Sequence, residues 1–520
     1  MGDNHDDEPV ENRAVGSLDV DADVIQPASD TGYTIVELVE TKKKNKGKTK
    51  TILHPMTLDF PEGCVTAIMG PSGSGKTTTL DFITGSIGSS VLASGEVNLP
   101  GSNAYIPQDD RLHGFYTCSG YMKHYTRLTG RKSDQANLDT IDSILSSLGL
   151  SQQKDTIVGD IFLKGLSGGQ KRRLSIALEA LSNPKNFFLD EPTSGLDSES
   201  AYQVMKFLRE YAAAAPGRRV ILTIHQPSSF IWQTIDHVVL MAKGKLMFQG
   251  NRKDMESFFE SAGYPTPPEY NPADHYVNAV NDEFSNNLMH PDEWSNEFLN
   301  WHFTHGGGKL LQGQNHENRR RSSIVHKDEV QTNRANALTT SIELTRRYFA
   351  NLIFNPGILG TRVAMYAMLS IMCGALFWDL GSSETYASIQ SRIALSFYCV
   401  AFFIFMSIAV MPFTVAEKGI VDKEVKNGYY HPAVYQVAQA LASLPGAALL
   451  AFIVTLVIIT MTRLREPLWY FVLMFLALVN AEALAQLVSH MVRRAETTLW
   501  GSFIHTLYRF LVWFNVCLKN

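Results

Sequence analysis

The chain has 520 residues, of which 45% are hydrophobic, and a formal net charge of −5. This length favours more than one domain, and the small net charge argues against nucleic acid as the main partner. The five cysteines are scattered and show no CxxC spacing, so neither a disulfide framework nor a zinc site is supported.

The chain opens with an acidic segment. Residues 1–31 contain no apolar core of the kind that marks a signal peptide, and they are predicted to be a disordered acidic tail. A globular region, residues 32–285, begins with the strand-like sequence YTIVELVE. The basic run KKKNKGKTK interrupts it at residues 42–50, where a solvated hairpin tip is the simpler interpretation than a nucleic-acid or lipid patch.

A glycine-rich turn follows the buried strand CVTAIMG. Its sequence, GPSGSGKTT, fits the spacing GxxxxGK[ST], in which glycines let the backbone N–H groups curl round a phosphate. Lys76 is predicted to contact the β- and γ-phosphates, and the Thr77 hydroxyl is predicted to hold Mg²⁺. The predicted nucleotide-binding residues of this turn are Gly70, Pro71, Ser72, Gly73, Ser74, Gly75, Lys76, Thr77 and Thr78.

Three further segments place polar side chains at the ends of apolar strands. NFFLDEP ends in Asp190, predicted to hold Mg²⁺, and Glu191, predicted to polarise the attacking water. VILTIHQP presents His225 toward the γ-phosphate, and AYIPQDD presents Gln108, which can contact both metal and water. The candidate catalytic residues are Glu191, His225 and Gln108, and the candidate metal ligands are Thr77, Gln108 and Asp190.

A second anion site is predicted at LSGGQ, where a loop turns into a long amphipathic helix. The free N–H groups of a helix start and the positive end of its dipole favour an anion there. The residues concerned are Ser167, Gly168, Gly169 and Gln170. The chain therefore carries two turns suited to binding phosphate.

The order of these motifs, from the glycine-rich turn through LSGGQ and SGLD to the histidine, resembles the ATP-binding-cassette (ABC) ATPases over residues 33–280. The resemblance implies an α/β P-loop NTPase fold, ATP and Mg²⁺ as cofactors, and a nucleotide-contacting role for Asp197 in SGLD. It also implies that two cassettes pack head to tail, so that LSGGQ of one closes over the γ-phosphate held by the other. Tyr33 is the nearest candidate for the aromatic that stacks on adenine in this family.

A polar linker, residues 286–337, separates the cassette from an amphipathic connecting helix at residues 338–357. In the linker, RRRSS places Ser322 and Ser323 beside arginines, either as a phosphorylation switch or as a plain exposed segment. The connecting helix precedes a membrane segment and is predicted to lie at the membrane interface. One half of the helix carries Leu344, Tyr348, Phe349, Leu352 and Ile353, and the other carries Glu343, Arg346, Arg347 and Asn351.

Residues 358–520 are predicted to form an all-α transmembrane domain with four to five spans, because each crossing needs roughly 20 mostly apolar residues. Glu482 falls inside a span, where a carboxylate is either functional or close to the interface. Lysines after the second span place that loop and the cassette in the cytosol. The spans are predicted at Val363 to Trp378, Ile393 to Val415 and Pro432 to Thr462, and more weakly at Leu468 to Val488 and Leu499 to Leu518.

The segments NPADHYVNAV, GALFWDLG and AEKGIVDKEVKNGYYHPAVYQ resemble the G subfamily of ABC proteins, the white-type half-transporters. The resemblance places Glu417, Glu424, Gly428 and Tyr429 in the intracellular coupling loop. It implies an ATPase that dimerises with a second half-transporter, as a homodimer or heterodimer, and exports a lipid, sterol or other small amphipathic substrate. The subfamily has six spans and an outer loop with cysteines before the last, so the chain is expected to be C-terminally incomplete.

Two other functions stay open at this point. A truncated, non-transporting subunit would bind ATP and regulate a full-length partner. A soluble ABC ATPase acting on nucleic acid or ribosomes conflicts with the predicted spans. We therefore expect a multi-pass integral membrane protein whose partners are a second half-transporter, membrane lipid and an amphipathic substrate, with no nucleic acid.

Overall fold

The computed structural model describes residues 35–45, 48–87, 91–130, 135–160, 163–281, 289–305, 325–326, 336–355, 359–406 and 411–491. Several predictions lie outside these residues: the acidic tail, Tyr33, the linker serines Ser322 and Ser323, and the span at residues 499–518.

The strands of the described residues form two sheets. The basic residues 42–45 and 48–50 lie on two antiparallel strands that pair from Thr41 with Leu53 to Asn45 with Lys48, as a hairpin requires. The predicted solvated tip, residues 46–47, lies outside the described residues. The strands are β1 (Ile35–Asn45), β2 (Lys48–Leu53), β3 (Met56–Asp59), β4 (Val65–Met69), β5 (Val91–Val97), β6 (Asn103–Ile106), β7 (Asn186–Leu189), β8 (Arg219–Thr223), β9 (His237–Ala242), β10 (Lys245–Asn251) and β11 (Val325–His326).

The six-stranded sheet has the order β10-β9-β4-β8-β7-β6. Strands β9, β4, β8, β7 and β6 run parallel, and β10 is antiparallel to β9. Every residue of β4, β7, β8 and β9 is buried, as expected for parallel strands covered on both faces. The other sheet has the order β11-β5-β1-β2, with β3 on β1.

Helices cover the six-stranded sheet, and six further helices follow the cassette within the described residues. Single turns of 3₁₀ helix occur at Ser151–Gln153 and Leu380–Ser382. The cassette helices are α1 (Lys76–Ile83), α2 (Cys118–Leu128), α3 (Gln135–Ser147), α4 (Gly168–Leu181), α5 (Ser198–Ala213), α6 (Ser229–Thr234), α7 (Arg252–Ser261), α8 (Pro272–Ala279) and α9 (Pro291–His305). The later helices are α10 (Ala337–Phe354), α11 (Leu359–Leu376), α12 (Tyr386–Met406), α13 (Met411–Lys426), α14 (Pro432–Thr462) and α15 (Pro467–Met491).

Three helices of the described residues are long and apolar enough to cross a membrane: Leu359–Leu376, Pro432–Thr462 and Pro467–Ser489. They correspond to the first, third and fourth predicted spans. The second predicted span, Ile393 to Val415, overlaps α12 and α13, and residues 407–410 between them lie outside the described part.

Hydrophobic residues form three clusters. One lies between the two sheets and includes Leu53, Phe188 and Val239. The largest fills the cassette and continues into Leu344 of α10 and Tyr435 of α14, so the cassette and the membrane-side helices share one core. The third cluster holds α11, α12, α14 and α15 together.

The connecting helix differs from its prediction at one position. Arg347 was predicted on the polar half, but it is buried and its guanidinium pairs with Glu424 of α13 at 2.7 Å. Leu344 and Tyr348 are buried beside it, because α10 packs on α14 and on the cassette helix α2. At Arg347, the polar half of the helix therefore contacts protein, and solvent is excluded from this position.

Candidate nucleotide-binding site

The carboxyl ends of four adjacent parallel strands bring the predicted site residues together. The glycine-rich turn follows β4, His225 follows β8, Asp190 and Glu191 follow β7, and Gln108 follows β6. These strands are neighbours in the sheet, in that order. Open parallel sheets bind ligands at this edge, and the six-stranded sheet therefore assembles one site from segments far apart in the chain.

The glycine-rich turn is shaped by steric demands on its backbone. Gly70 has φ +149°, and a Cβ there would lie 2.0 Å from the carbonyl oxygen of Met241. Gly75 has φ +104° and lies directly before helix α1, so its Cβ would meet the Leu53 side chain at 2.6 Å. Because only glycine fits these positions, the turn stays open in front of the N-terminus of α1.

The Lys76 ammonium lies inside this turn. Its Nζ donates hydrogen bonds to the carbonyl oxygens of Gly70, at 2.8 Å, and Pro71, at 2.9 Å. Burial lowers the pKa of Lys76, and the nearby carboxylates of Glu191 and Asp190 oppose that effect. The turn also buries the Ser74 hydroxyl, whose Oγ has no hydrogen-bond partner among the described residues. A loop with a held cation and an unsatisfied hydroxyl fits a bound phosphate.

Two of the three metal-ligand candidates, Thr77 and Asp190, lie at the start of α1 and just after β7. The third, Gln108, makes no hydrogen bond to either of them among the described residues. The Thr77 hydroxyl is 3.3 Å from Asp190 Oδ1, and Thr77 is exposed while Asp190 is buried. The Thr223 hydroxyl donates to the same Asp190 oxygen at 2.6 Å and accepts from the Glu191 N–H at 2.9 Å. A hydroxyl and a carboxylate oxygen are the hard ligands that Mg²⁺ prefers, so this pair fits the metal.

The candidate catalytic residues form two pairs. Gln108 Nε2 donates to Glu191 Oε2 at 2.9 Å, and His225 Nε2 lies 2.9 Å from the Ser72 hydroxyl of the glycine-rich turn. Glu191 has φ +47°, an uncommon conformation for a residue other than glycine. Strained backbone of this kind clusters at functional sites.

The LSGGQ turn lies at the start of α4 and is exposed at Ser167 and Gly168. Ser167 and Gln170 form a capping box: the Gln170 N–H donates to Ser167 Oγ at 3.3 Å, and the Ser167 N–H donates to Gln170 Oε1 at 2.9 Å. A Cβ on Gly168 would meet nothing within 4 Å, whereas one on Gly169 would lie 3.1 Å from Leu196. Among the described residues, no hydrogen bond joins this turn to the glycine-rich turn.

Asp197 caps another helix. Its carboxylate accepts from the Ser200 N–H at 3.1 Å at the start of α5, and hydrogen bonds from the Ser200 side chain and backbone hold the pKa of Asp197 below its usual value. Leu196, its neighbour, contacts the LSGGQ turn through Gly169. Asp197 therefore lies near LSGGQ on an exposed surface.

The sequence pattern did not single out Arg172 or Thr223. Arg172 is buried on α4, where it donates to the Pro107 carbonyl at 2.7 Å and to Asp110 at 2.9 Å, and it also contacts the Asp190 carbonyl. Arg172 thus links the helix that begins at LSGGQ to the loops that carry Gln108 and Asp190. It is the middle residue of three consecutive basic residues, KRR. Because such a run usually lies on a solvated face, the sequence gives no sign that this arginine is buried.

Side chains of α10 and α13 contact the cassette at a cluster that we call the junction. Lys423 Nζ lies 2.9 Å from Glu179 Oε1 of α4, and the buried pair of Arg347 and Glu424 lies in the same cluster. The Glu424 side chain receives a further hydrogen bond from Tyr430. The junction comprises Glu179, Arg347, Lys423, Glu424, Asn427 and Tyr429.

Asn427 and Tyr429 both bind α4, the helix that begins at LSGGQ, and Asn427 also binds the six-stranded sheet. The Asn427 side chain accepts from the Tyr105 N–H at 2.9 Å and donates to the Tyr105 carbonyl at 3.1 Å, so it pairs with the edge strand β6 as a neighbouring strand would. Asn427 and Tyr429 also donate to Glu179 on α4, at 2.8 and 2.5 Å. The junction thus touches the strand that leads to Gln108 and the helix that begins at LSGGQ.

Known proteins share both parts of this organisation. The family described as ABC transporter matches residues 53–194, and families described as ABC-2 type transporter match residues 341–514 and 225–350. These matches confirm the predicted order of an α/β cassette followed by a helical membrane domain.

Three relatives illustrate the similarity. ABC transporter G family member 1 of Petunia hybrida is 32% identical over 494 residues, covering 91% of this chain and 76% of the relative. ABC transporter G family member 13 of Arabidopsis thaliana is 31% identical over 461 residues, covering 81% and 67%. The broad substrate specificity ATP-binding cassette transporter ABCG2 of Mus musculus is 29% identical over 442 residues, covering 79% and 66%.

Proposed function

Because the chain belongs to the ABC transporter G family, we propose that it is a half-transporter that pairs with a second half-transporter and exports an amphipathic molecule. Hydrolysis of ATP drives the export. The substrate class we propose is a lipid, a sterol or another small amphipathic compound, and the partner is either a second copy of this chain or a related half-transporter. The cassette lies in the cytosol, on the side of the lysine-bearing loop that contacts it.

The observation that carries this proposal is the convergence of four strand ends beside the glycine-rich turn. In the proposed site, Lys76 would neutralise the β- and γ-phosphates of ATP from inside the glycine-rich turn. Thr77 and Asp190, with Gln108, would hold Mg²⁺, which offsets phosphate charge when bound. Glu191 would orient the attacking water, and His225 would contact the γ-phosphate from beside Ser72.

The exposed LSGGQ turn supports the dimer. Ser167 and Gly168 face solvent, and the space around Gly168 is open. Among the residues described, the turn makes no hydrogen bond to the glycine-rich turn of its own chain. We infer that it completes the site of the second half-transporter, and that the γ-phosphate joins the two cassettes until hydrolysis removes it.

The junction offers a route from that event to the membrane helices. Asn427 binds the strand that leads to Gln108, and Lys423 and Tyr429 bind the helix that begins at LSGGQ. A shift of either element in the closed dimer therefore acts on α13 and, through Arg347, on α10. The alternative of a non-transporting subunit is not favoured, since the match to the ABC-2 type transporter family covers residues 341–514.

The test is transport by the purified chain in proteoliposomes. The protein is reconstituted with a fluorescent phospholipid or sterol, ATP is added on the cassette side, and both phosphate release and movement of the label across the bilayer are followed. We expect ATP-dependent movement that the Glu191→Gln variant lacks. Hydrolysis at full rate by a strictly monomeric protein would contradict the shared site. Failure of every amphipathic compound to move or to stimulate hydrolysis would contradict export.

A further inference from the structure

A cavity of about 220 Å³ lies between the cassette helix α2 and the connecting helix α10. It shares no residue with the candidate nucleotide site. The side chains that matter are Tyr116, Lys123, His124, Arg127, Glu343 and Arg346. At roughly 30 Å³ for each water, its volume corresponds to about seven waters, which is more than a bare phosphate needs.

The charge of this cavity is positive. Three cations, Lys123, Arg127 and Arg346, face one carboxylate, Glu343, which leaves a net charge of +2. Arg127 Nε donates to Glu343 Oε2 at 3.0 Å, so these two groups neutralise each other. Lys123 and Arg346 are exposed, and neither forms an ion pair within the part of the chain that the structure describes. Two cations are thus available to an anion.

His124 supplies an unsatisfied buried atom. Its side chain is 1% exposed, its Nδ1 lies 3.8 Å from Glu343 Oε2, and its Nε2 has no hydrogen-bond partner among the described residues. Burial lowers the pKa of His124 to about 4, so the ring is neutral at physiological pH. With the Nδ1 hydrogen directed toward Glu343, Nε2 is an acceptor. Nε2 is also shielded from solvent, so it is not open to a ligand, and the neutral ring adds no charge to the cavity.

Apolar side chains continue from the cavity along α10. Three apolar residues lie on the same helical face as Arg346, because they are spaced from it by three, four or seven residues. They are Ile342, Phe349 and Ile353. These three side chains are 58%, 40% and 52% exposed, and the helix leads directly into the first span. An arginine inside an exposed apolar stripe beside a membrane is typical of a residue that meets lipid headgroups.

We propose that the cavity binds the headgroup of an anionic phospholipid. Its phosphate lies between Lys123 and Arg346, and its acyl chains follow Ile342, Phe349 and Ile353. Bound there, the lipid bridges the cassette and the connecting helix beside the junction. This proposal depends on membrane insertion and is independent of what the protein exports.

The experiment is native mass spectrometry of the purified full chain in detergent with added phosphatidylinositol or phosphatidylcholine. We expect at least fivefold more phosphatidylinositol than phosphatidylcholine retained by the wild type. The Lys123→Gln/Arg346→Gln double variant, which changes only exposed side chains, should lose that preference. The matched control is Lys206→Gln/Arg465→Gln, which removes an exposed lysine and an exposed arginine elsewhere and should keep it.

Further measurements test the acyl chains and the headgroup of the lipid separately. A soluble inositol phosphate without acyl chains should bind at least tenfold more weakly than the lipid, and equal binding would overturn the role of the apolar stripe. Phosphatidylserine, which is also anionic, should be retained more strongly than phosphatidylcholine, and equal retention of these two lipids would overturn the role of the headgroup charge. Equal loss of phosphatidylinositol in both double variants would overturn the site, because binding would then follow total charge.

Discussion

Two regions of this molecule use polar and charged side chains differently. At the candidate nucleotide site, Thr77 and Gln108 face solvent, and the Lys76 ammonium donates to two backbone carbonyls of its own turn, with the carboxylates of Glu191 and Asp190 nearby. At the junction, the side chains of Arg347 and Glu424 are 0% exposed and pair with each other. Polar groups of the first region are therefore open to a ligand, whereas the charges of the second are satisfied within the chain.

The difference has an energetic origin. Taking an ion out of water costs several kcal/mol, and a buried partner repays this only with good geometry and further hydrogen bonds. The Arg347 guanidinium meets both oxygens of Glu424, at 2.7 and 3.0 Å, and Tyr430 donates to the same carboxylate. The junction pair therefore fixes how α10 and α13 meet, while Thr77 and Gln108 of the candidate nucleotide site stay exposed to solvent.

The largest effect is expected from Glu191→Gln at the nucleotide site. Loss of the carboxylate removes the group placed to orient water, and general-base groups contribute roughly 100- to 10,000-fold to a rate. We expect ATP hydrolysis to fall by that range while ATP binding, followed with a fluorescent analogue, is retained. Glu210→Gln, an exposed glutamate on α5, is the matched control and should hydrolyse ATP normally. Unchanged hydrolysis in Glu191→Gln would contradict the assigned role.

At the junction, Arg347→Met is expected to act on stability. It leaves the Glu424 carboxylate buried without its cation, and breaking a buried pair costs about 3–5 kcal/mol. Thermal unfolding of the full chain in detergent should show a large fall in Tm. The double variant Arg347→Met/Glu424→Leu should recover much of the loss, because no unpaired ion remains. A double variant as unstable as the single one would show that packing, and not charge, holds this contact.

These two regions also differ in how far the sequence predicted them. The fixed spacing of GPSGSGKTT and the strand-end positions of Asp190 and His225 were enough to predict that these residues meet, because parallel strands align their carboxyl ends at one edge of the sheet. Arg347 was assigned to a polar helix face, since helical periodicity cannot tell a solvated arginine from one that meets a carboxylate 77 residues later. Arg172 was missed for the same reason. Long-range partners decide burial, and a local pattern contains no information on them.

Gly168→Asp tests whether the nucleotide site extends across two chains. The position has room for a side chain, so the cassette itself should fold normally. The new carboxylate would face the γ-phosphate held by the partner, and like-charge contacts at an interface cost several kcal/mol. We expect roughly 100-fold slower hydrolysis with little change in ATP affinity. Gly168→Asn, similar in size but neutral, should be clearly more active. Loss of affinity alone would place the turn outside the shared site.

The smallest effect is expected from Glu417 on α13. Unlike Glu424 at the junction, Glu417 has a carboxylate oxygen without a hydrogen-bond partner among the described residues. This oxygen is also shielded from solvent. Burial raises the pKa of Glu417 to about 8, with Arg347 opposing and Glu424 adding to the shift.

The sign of the pH dependence follows from proton uptake. Between the usual pKa of 4.5 and the raised value of about 8, the folded chain holds a proton on Glu417 that the unfolded chain has lost. Glu417 therefore makes stability fall as pH rises through this range, and its contribution is constant above it. Glu417→Gln should flatten the fall in Tm between pH 5 and pH 8, whereas Glu210→Gln should keep it. If both variants keep the same slope, Glu417 is ionised in the folded chain and does not set the pH dependence of stability.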